Sequence, residues 1–131
     1  MYLLDTNVFL EILLQRENNE AAKHIFAANS PDNLFMTDFS LHSIGVFLFQ
    51  KNKHETYEHF VRDLIIRTGI GVIGLDSEDV LKLAGISKRF KLDFDDAYQY
   101  AVAEKYGLQI LSFDADFDRT EKGRKIPGSK K

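Results

Sequence analysis

Short apolar runs bounded by turn residues alternate along this chain with longer segments whose apolar positions recur at helical spacing. The first run, Met1-Tyr2-Leu3-Leu4, ends on a carboxylate and two small hydrogen-bonding residues, Asp5-Thr6-Asn7. Apolar positions then resume at Val8, Phe9, Leu10, Ile12, Leu13 and Leu14, which predicts a buried strand ending at Asp5, a tight turn and a helix. Arg16-Glu17-Asn18-Asn19 reads as a connection, and Glu20 to Ala28 as a second helix with Ala21, Ala22, Ile25 and Phe26 on one side. Asn29-Ser30-Pro31-Asp32-Asn33 is a loop, and Leu34-Phe35-Met36-Thr37 a second buried strand. Asp38 or Ser40 begins a helix with apolar Leu41, Ile44, Val46, Phe47 and Leu48. Glu55 to Arg67 has helical spacing at Tyr57, Phe60, Val61, Leu64 and Ile65.

A third strand fits Ile70-Gly71-Val72-Ile73, its glycine marking close backbone approach. Asp76-Ser77 predicts the N-cap of a helix carrying Val80, Leu83, Ala84 and Ile86. A further helix starts near Asp93, and its Ala97, Ala101 and Ala103 let it sit close to a sheet. Leu108 to Ser112 is a fourth strand, followed by Phe113-Asp114-Ala115-Asp116-Phe117-Asp118, and Lys125-Ile126-Pro127 is a short candidate fifth. Strands separated by helices imply a parallel sheet with crossover connections. The expectation is one α/β domain over residues 1–131, three-layer α-β-α, with a central parallel sheet of four or five strands.

Composition narrows the chemistry. At 131 residues, 44% hydrophobic and 28% charged, the chain fits an ordinary soluble domain that buries a core without staples. The absence of cysteine excludes thiol chemistry, Cys-ligated zinc and disulfides. Met1 leads at once into the first strand, and no apolar run has membrane-spanning length, so a cytoplasmic location is expected. The net charge of −3 is unevenly spread. From Arg119 to Lys131 there are six basic residues against Glu121; of the chain's 17 basic and 20 acidic residues, that leaves eleven and nineteen, or −8, in the remainder. The segment from about 119 to 131 thus reads as a basic, flexible C-terminal tail. Beside an acidic body it has the charge to steer a phosphate backbone.

Two predicted strand ends carry the same signature, Leu3-Leu4-Asp5-Thr6-Asn7 and Ile110-Leu111-Ser112-Phe113-Asp114-Ala115-Asp116, and a helix start carries Leu92-Asp93-Phe94-Asp95-Asp96-Ala97. In parallel α/β sheets ligands bind outside the carboxyl ends of the strands. If strands one and four are neighbours, Asp5 and Asp114 face one another there, with Asp96 within reach. Converging carboxylates repel, and an all-oxygen set suits Mg²⁺ or Mn²⁺ bridging to a substrate phosphate, the chemistry of metal-assisted phosphodiester hydrolysis. The competing reading makes Asp5, Asn7, Asp93, Asp95 and Asp96 helix caps and first-turn acids, with Asp93 the best cap. Asp114 to Asp118 is not a calcium loop, because Arg119 and Lys125 stand where glycine and glutamate are needed. His24, His42, His54 and His59 lack ligand spacing. A phosphohydrolase with an aspartyl nucleophile needs a second aspartate where Asn7 stands.

These three stretches, in this order and spacing, resemble the PIN-domain family of ribonucleases, especially toxin subunits of VapC type. The resemblance extends over essentially the whole chain and implies a Mg²⁺- or Mn²⁺-dependent endoribonuclease that acts on RNA. It also implies a homodimer and, for toxin members, a cognate antitoxin protein. By position, Asp5, Asp96 and Asp114 match the family's metal-binding acids and Asp116 an additional catalytic acid, while Thr6, Asn7 and Ser112 match supporting polar residues. One departure stands out: in Leu41-His42-Ser43-Ile44, Ser43 occupies a position where the family usually has glutamate. Serine hydrogen-bonds but supplies no negative charge, so the resemblance also admits a catalytically weakened PIN-like module that binds RNA or protein. The aromatic Phe39, Phe47 and Phe49 around that helix serve the core, an interface, or both.

Overall fold

The computed structural model describes residues 1–128. Four strands, β1 (Tyr2–Leu4), β2 (Leu34–Thr37), β3 (Gly71–Ile73) and β4 (Gln109–Leu111), form one sheet in the order β3-β2-β1-β4, every pairing parallel. In register, Leu3 sits between Phe35 and Ile110, and Leu4 is opposite Leu111. The candidate fifth strand reduces to a single parallel bridge from Leu111 to Lys125.

Because side chains alternate across a strand, β1, β2 and β4 each feed two cores. Leu3 and Ile110 enter one cluster with Leu83, Phe90, Leu92, Ala97, Tyr100 and Phe117. Leu4, Leu34, Met36 and Leu111 enter the other with Val8, Phe9, Ile25, Ile44, Leu48 and Phe60. The second face is covered by α1 (Thr6–Leu13), α2 (Asn19–Ala28), α3 (Asp38–Gln50) and α4 (His54–His59). The first is covered chiefly by α6 (Leu83–Phe90) and α7 (Phe94–Tyr106), reached through one short turn, α5 (Ser77–Val80). The result is three layers, helices on both sides of a parallel sheet. Succeeding strands step outward from β1 to β2 to β3, and then the chain returns to place β4 on the opposite side of β1. Strand order therefore reverses between β1 and β4, the point where open α/β sheets leave a crevice at their carboxyl edge.

Several local expectations change in detail. Of the two expected starts, α3 begins at Asp38, and Thr37 caps it: its Oγ1 accepts from the Ser40 amide at 2.9 Å. Asp38 instead accepts from the Tyr98 hydroxyl at 2.8 Å, tying the start of α3 to α7. The helix expected across residues 55–67 keeps α geometry only as far as His59 and widens to π geometry over Phe60–Ile66. Phe60 and Ile65 are both buried and lie five positions apart, a separation that the wider winding aligns on one face. The helix expected to run on from Asp76 breaks after Val80 and restarts at Leu83, although Asp76 does cap it, in a reciprocal box with Asp79. The basic segment is tied down where it is described. Arg119 donates to the carbonyls of Phe90 and Lys91, and Arg124 to that of Ser112. Residues 129–131 of the expected tail lie outside the described residues.

The glycine expected to mark close approach does so. A Cβ on Gly71 would stand 2.5 Å from the Phe35 ring on the neighbouring strand. Gly71→Ala is expected to cost about 1–3 kcal/mol through overpacking, read as a lower urea midpoint at unchanged m-value. A loss below about 0.5 kcal/mol, the range of ordinary surface changes, would mean that the ring moves freely and that the contact does not shape β2 and β3.

Candidate metal centre

Asp5 emerges at the end of β1, its amide donating to the Leu111 carbonyl of β4 at 3.0 Å. It occupies the N-cap position of α1 but makes no capping hydrogen bond. Its carboxylate is instead held from the side. Gln99 Nε2 donates to Oδ1 at 2.7 Å and Ser112 Oγ to Oδ2 at 2.5 Å. Ser112 also accepts from the Asp114 amide at 2.8 Å, so one hydroxyl joins the ends of β1 and β4. Asp114 begins a 3₁₀ turn, Ala115–Arg119, by accepting from the Asp116 amide. Asp96 lies in the first turn of α7, where the cap is Asp93, which accepts from the Asp96 amide at 2.9 Å. The capping reading therefore holds for Asp93 and leaves the carboxylates of Asp5 and Asp96 free for the cleft.

Asp5, Asp96 and Asp114 each offer a carboxylate oxygen, and these three oxygens lie within 4.8 Å of one another. The cleft they share has a volume of about 270 Å³ and is also lined by Thr6, Asn7, Ser43, Phe47, Asp93 and Asp95. Thr6 reaches Ser40 Oγ at 2.7 Å, and Ser40 in turn accepts from Thr37 Oγ1 at 3.0 Å. This buried hydroxyl chain ties the start of α1 to the start of α3. Asn7 Oδ1 is buried without a partner. Ser43 lines the cleft. Asp116 does not join the three acids: its Oδ1 pairs with Arg119 at 3.0 Å, which neutralises it outside the cleft.

Sequence reasoning missed Gln99, Ser40 and Thr37. A glutamine inside an otherwise apolar and alanine-rich helix stretch was the available signal for the first. Asp95 is a first-turn acid of α7, as the competing reading has it, and it is also half-buried and lines the cleft.

The electrostatics fit a cation. Burial, only partly offset by Ser112 and Gln99, raises the Asp5 carboxyl to about 6, with Asp95 and Asp114 adding repulsion. Burial, followed by the charges of Asp5, Asp93, Asp114 and Asp95, raises Asp96 to about 8. Among the described residues no lysine or arginine lines this cleft. Oxygen-only donors, mutual repulsion and an orphaned amide oxygen together suit a hard divalent ion such as Mg²⁺ or Mn²⁺.

A carboxyl whose folded pKa is raised keeps its proton in the fold after losing it in the unfolded chain, so stability falls as pH rises between the two values. In EDTA the melting temperature is therefore expected to decline from about pH 4 to about pH 8. Asp96→Asn should flatten that decline and melt higher than the parent at the alkaline end. A profile equally steep in Asp96→Asn would mean that Asp96 does not carry the repulsion.

The family model described as PIN domain matches residues 2–123. No curated protein sequence matches the chain. Among solved structures, the chain is similar to VapC20 of Mycobacterium tuberculosis, described as a sarcin-ricin loop cleaving toxin, with a TM-score of 0.80 and 19% identity over 97% of this chain and 100% of that one. A toxin–antitoxin complex from Klebsiella pneumoniae matches with a TM-score of 0.75 and 18% identity over 97% and 98% of the two chains. FitAcB from Neisseria gonorrhoeae matches with 0.75 and 16% over the same shares. At such identities these likenesses establish a shared fold, and with the family match over nearly the whole length they lead to one statement. The chain belongs to the PIN domain family.

Proposed function

We propose that this protein is a divalent-metal-dependent endoribonuclease and the toxin component of a toxin–antitoxin pair. The observation that carries the reading is the convergence of Asp5, Asp96 and Asp114, from three separate elements, to within 4.8 Å. Membership of the PIN family and structural likeness to toxin and toxin–antitoxin proteins support it. Asp5, Asp96 and Asp114 would hold Mg²⁺ or Mn²⁺, which when bound activates water for in-line attack and neutralises charge on the phosphate. Around that ion the protein's own residues orient. Ser112 and Gln99 fix both oxygens of Asp5, and Thr6 with Ser40 holds the turn between β1 and α1. Asp116, paired with Arg119, acts at most on the position of the Asp114 turn. A second reading, a weakened module that binds RNA or protein, is favoured by one observation: the α3 side of the cleft presents Ser43 rather than an acid.

Purified protein with Mn²⁺ should cleave single-stranded RNA, and Asp5→Asn should abolish the cleavage. Cleavage that continues unchanged in EDTA would defeat the metal mechanism. Intact RNA together with tight Mn²⁺ binding would favour the second reading.

For partners, α3 presents Val46 at 59% and Phe49 at 49% exposure, apolar area suited to a second copy or to an antitoxin. No helix among the described residues is long and apolar enough to cross a membrane. Light scattering behind size-exclusion chromatography is expected to return a dimer mass, lowered by Phe49→Glu. A strict monomer at high concentration would remove the homodimer from the proposal.

A further inference from the structure

Gln99 is the buried polar residue with the most unusual neighbours. Its side chain is fully buried on α7, one helical turn beyond Asp95. Nε2 donates to two carboxylates at once, Asp5 Oδ1 at 2.7 Å and Asp95 Oδ1 at 2.8 Å. Oε1 is buried with no partner. An orphaned buried carbonyl is unfavourable, but turning the amide over would set that oxygen against two carboxylates. The acids therefore dictate which way the amide faces. An amide nitrogen has two hydrogens, one for each carboxylate. The residue is matched to joining these two acids rather than to filling the core.

We propose that Gln99 is a positioning residue that holds Asp95 in the cleft as its fourth negative charge, so that α7 supplies what α3, with Ser43, does not. The inference rests on the metal-centre reading above and concerns how the centre is completed. Asp95 and Gln99 are four residues apart on one helix and so lie on the same face. Gln99 also grips Asp5 from β1, which fixes Asp95 relative to the metal-binding acid of another element. Asp95 has no capping duty, since Asp93 performs it. An acid present only for the helix dipole would stay in solvent, whereas Asp95 is half-buried and lines the same cleft as Ser43. Its oxygens are not among the three that meet within 4.8 Å, so its contribution is charge across the cleft.

Calorimetric titration of the full chain with MnCl₂ separates the possibilities, with unfolding curves in EDTA to verify that each variant folds. Asp5→Asn tests the centre itself and should lose binding; unchanged affinity there overturns the metal-centre reading. Asp95→Asn should weaken Mn²⁺ roughly tenfold or more, the usual scale for groups that support metal ligands. It should do so while raising the melting temperature in EDTA, a combination that a merely structural role does not produce. Gln99→Met should weaken binding to a similar degree. The double variant should be no worse than the weaker single, because the two residues act as one unit. Ser43→Glu combined with Asp95→Asn should recover affinity to within about threefold of the parent, about 0.65 kcal/mol. If Asp5→Asn loses the metal while Asp95→Asn binds it like the parent, the fourth-charge role is overturned and the centre stands. Additive losses for Asp95→Asn and Gln99→Met overturn the positioning role of Gln99; where Gln99→Met folds poorly, Gln99→Asn, whose amide is one methylene shorter, takes its place in the comparison.

Discussion

Repulsion among carboxylates packed at one edge of the sheet is the constraint around which the rest of this molecule is arranged. A buried acid without partners would simply keep its proton, and Asp96 is driven far in that direction. The fold makes the cluster tolerable in two ways. It aims specific donors at Asp5, one from β4 and one from α7. It also puts every acid of the cluster at the start of a helical segment: Asp5 before α1, Asp96 in the first turn of α7, and Asp114 at the head of a 3₁₀ turn. Unsatisfied amides and the helix dipole give those positions partial positive charge. What remains uncompensated is a local excess of negative charge beside Asn7 Oδ1, an environment a divalent cation satisfies.

That arrangement explains why two readings of the same residues competed in the sequence. Helix starts just beyond strand ends are where acids cap helices, and in a parallel sheet they are also where ligands bind. Residue type alone does not separate the two. Hydrogen bonding does: Asp93 spends its carboxylate on a helix amide, and Asp5 spends neither oxygen that way. The strands and their parallel pairing were legible because short apolar runs separated by helical segments leave few alternatives, and the meeting of Asp5 with Asp114 followed from supposing strands one and four to be neighbours, which the sheet order shows them to be. Gly71 was legible because only a close neighbour demands a missing Cβ there. The π turn at Phe60–Ile66 was not, since it arises from which two residues the finished core must bury. Gln99 was not legible either. Its meaning depends on a contact with a residue 94 positions away, which no local pattern encodes.

The distribution of polar residues around the cleft follows from the same topology. The two faces of the sheet are covered by different crossovers, so the crevice between β1 and β4 has one wall from α3 and one from α7. Ser43 and Phe47 on the first wall are neutral, and Asp93, Asp95 and Asp96 crowd the second. A cation in such a site experiences an asymmetric field, strongest toward α7. Ser40, one turn before Ser43, is committed to Thr6 and Thr37, so the α3 wall contributes fixed geometry where α7 contributes charge.

Two arginines of the basic segment, Arg119 and Arg124, belong to this same electrostatic scheme. Arg119 pairs with Asp116 and donates to the carbonyls of Phe90 and Lys91 just before the acidic turn of α7. Arg124 pairs with Asp118 and donates to the Ser112 carbonyl. Both guanidiniums thus brace the stretch from Ser112 to Arg119 that carries Asp114. Fixed planar forks suit this work better than flexible ammonium groups. By neutralising Asp116 and Asp118 outside the cleft, they reduce the number of acids that the centre must accommodate. Arg119 and Arg124 are therefore coupled to the acidic stretch before them: they hold it in place and partly limit its charge.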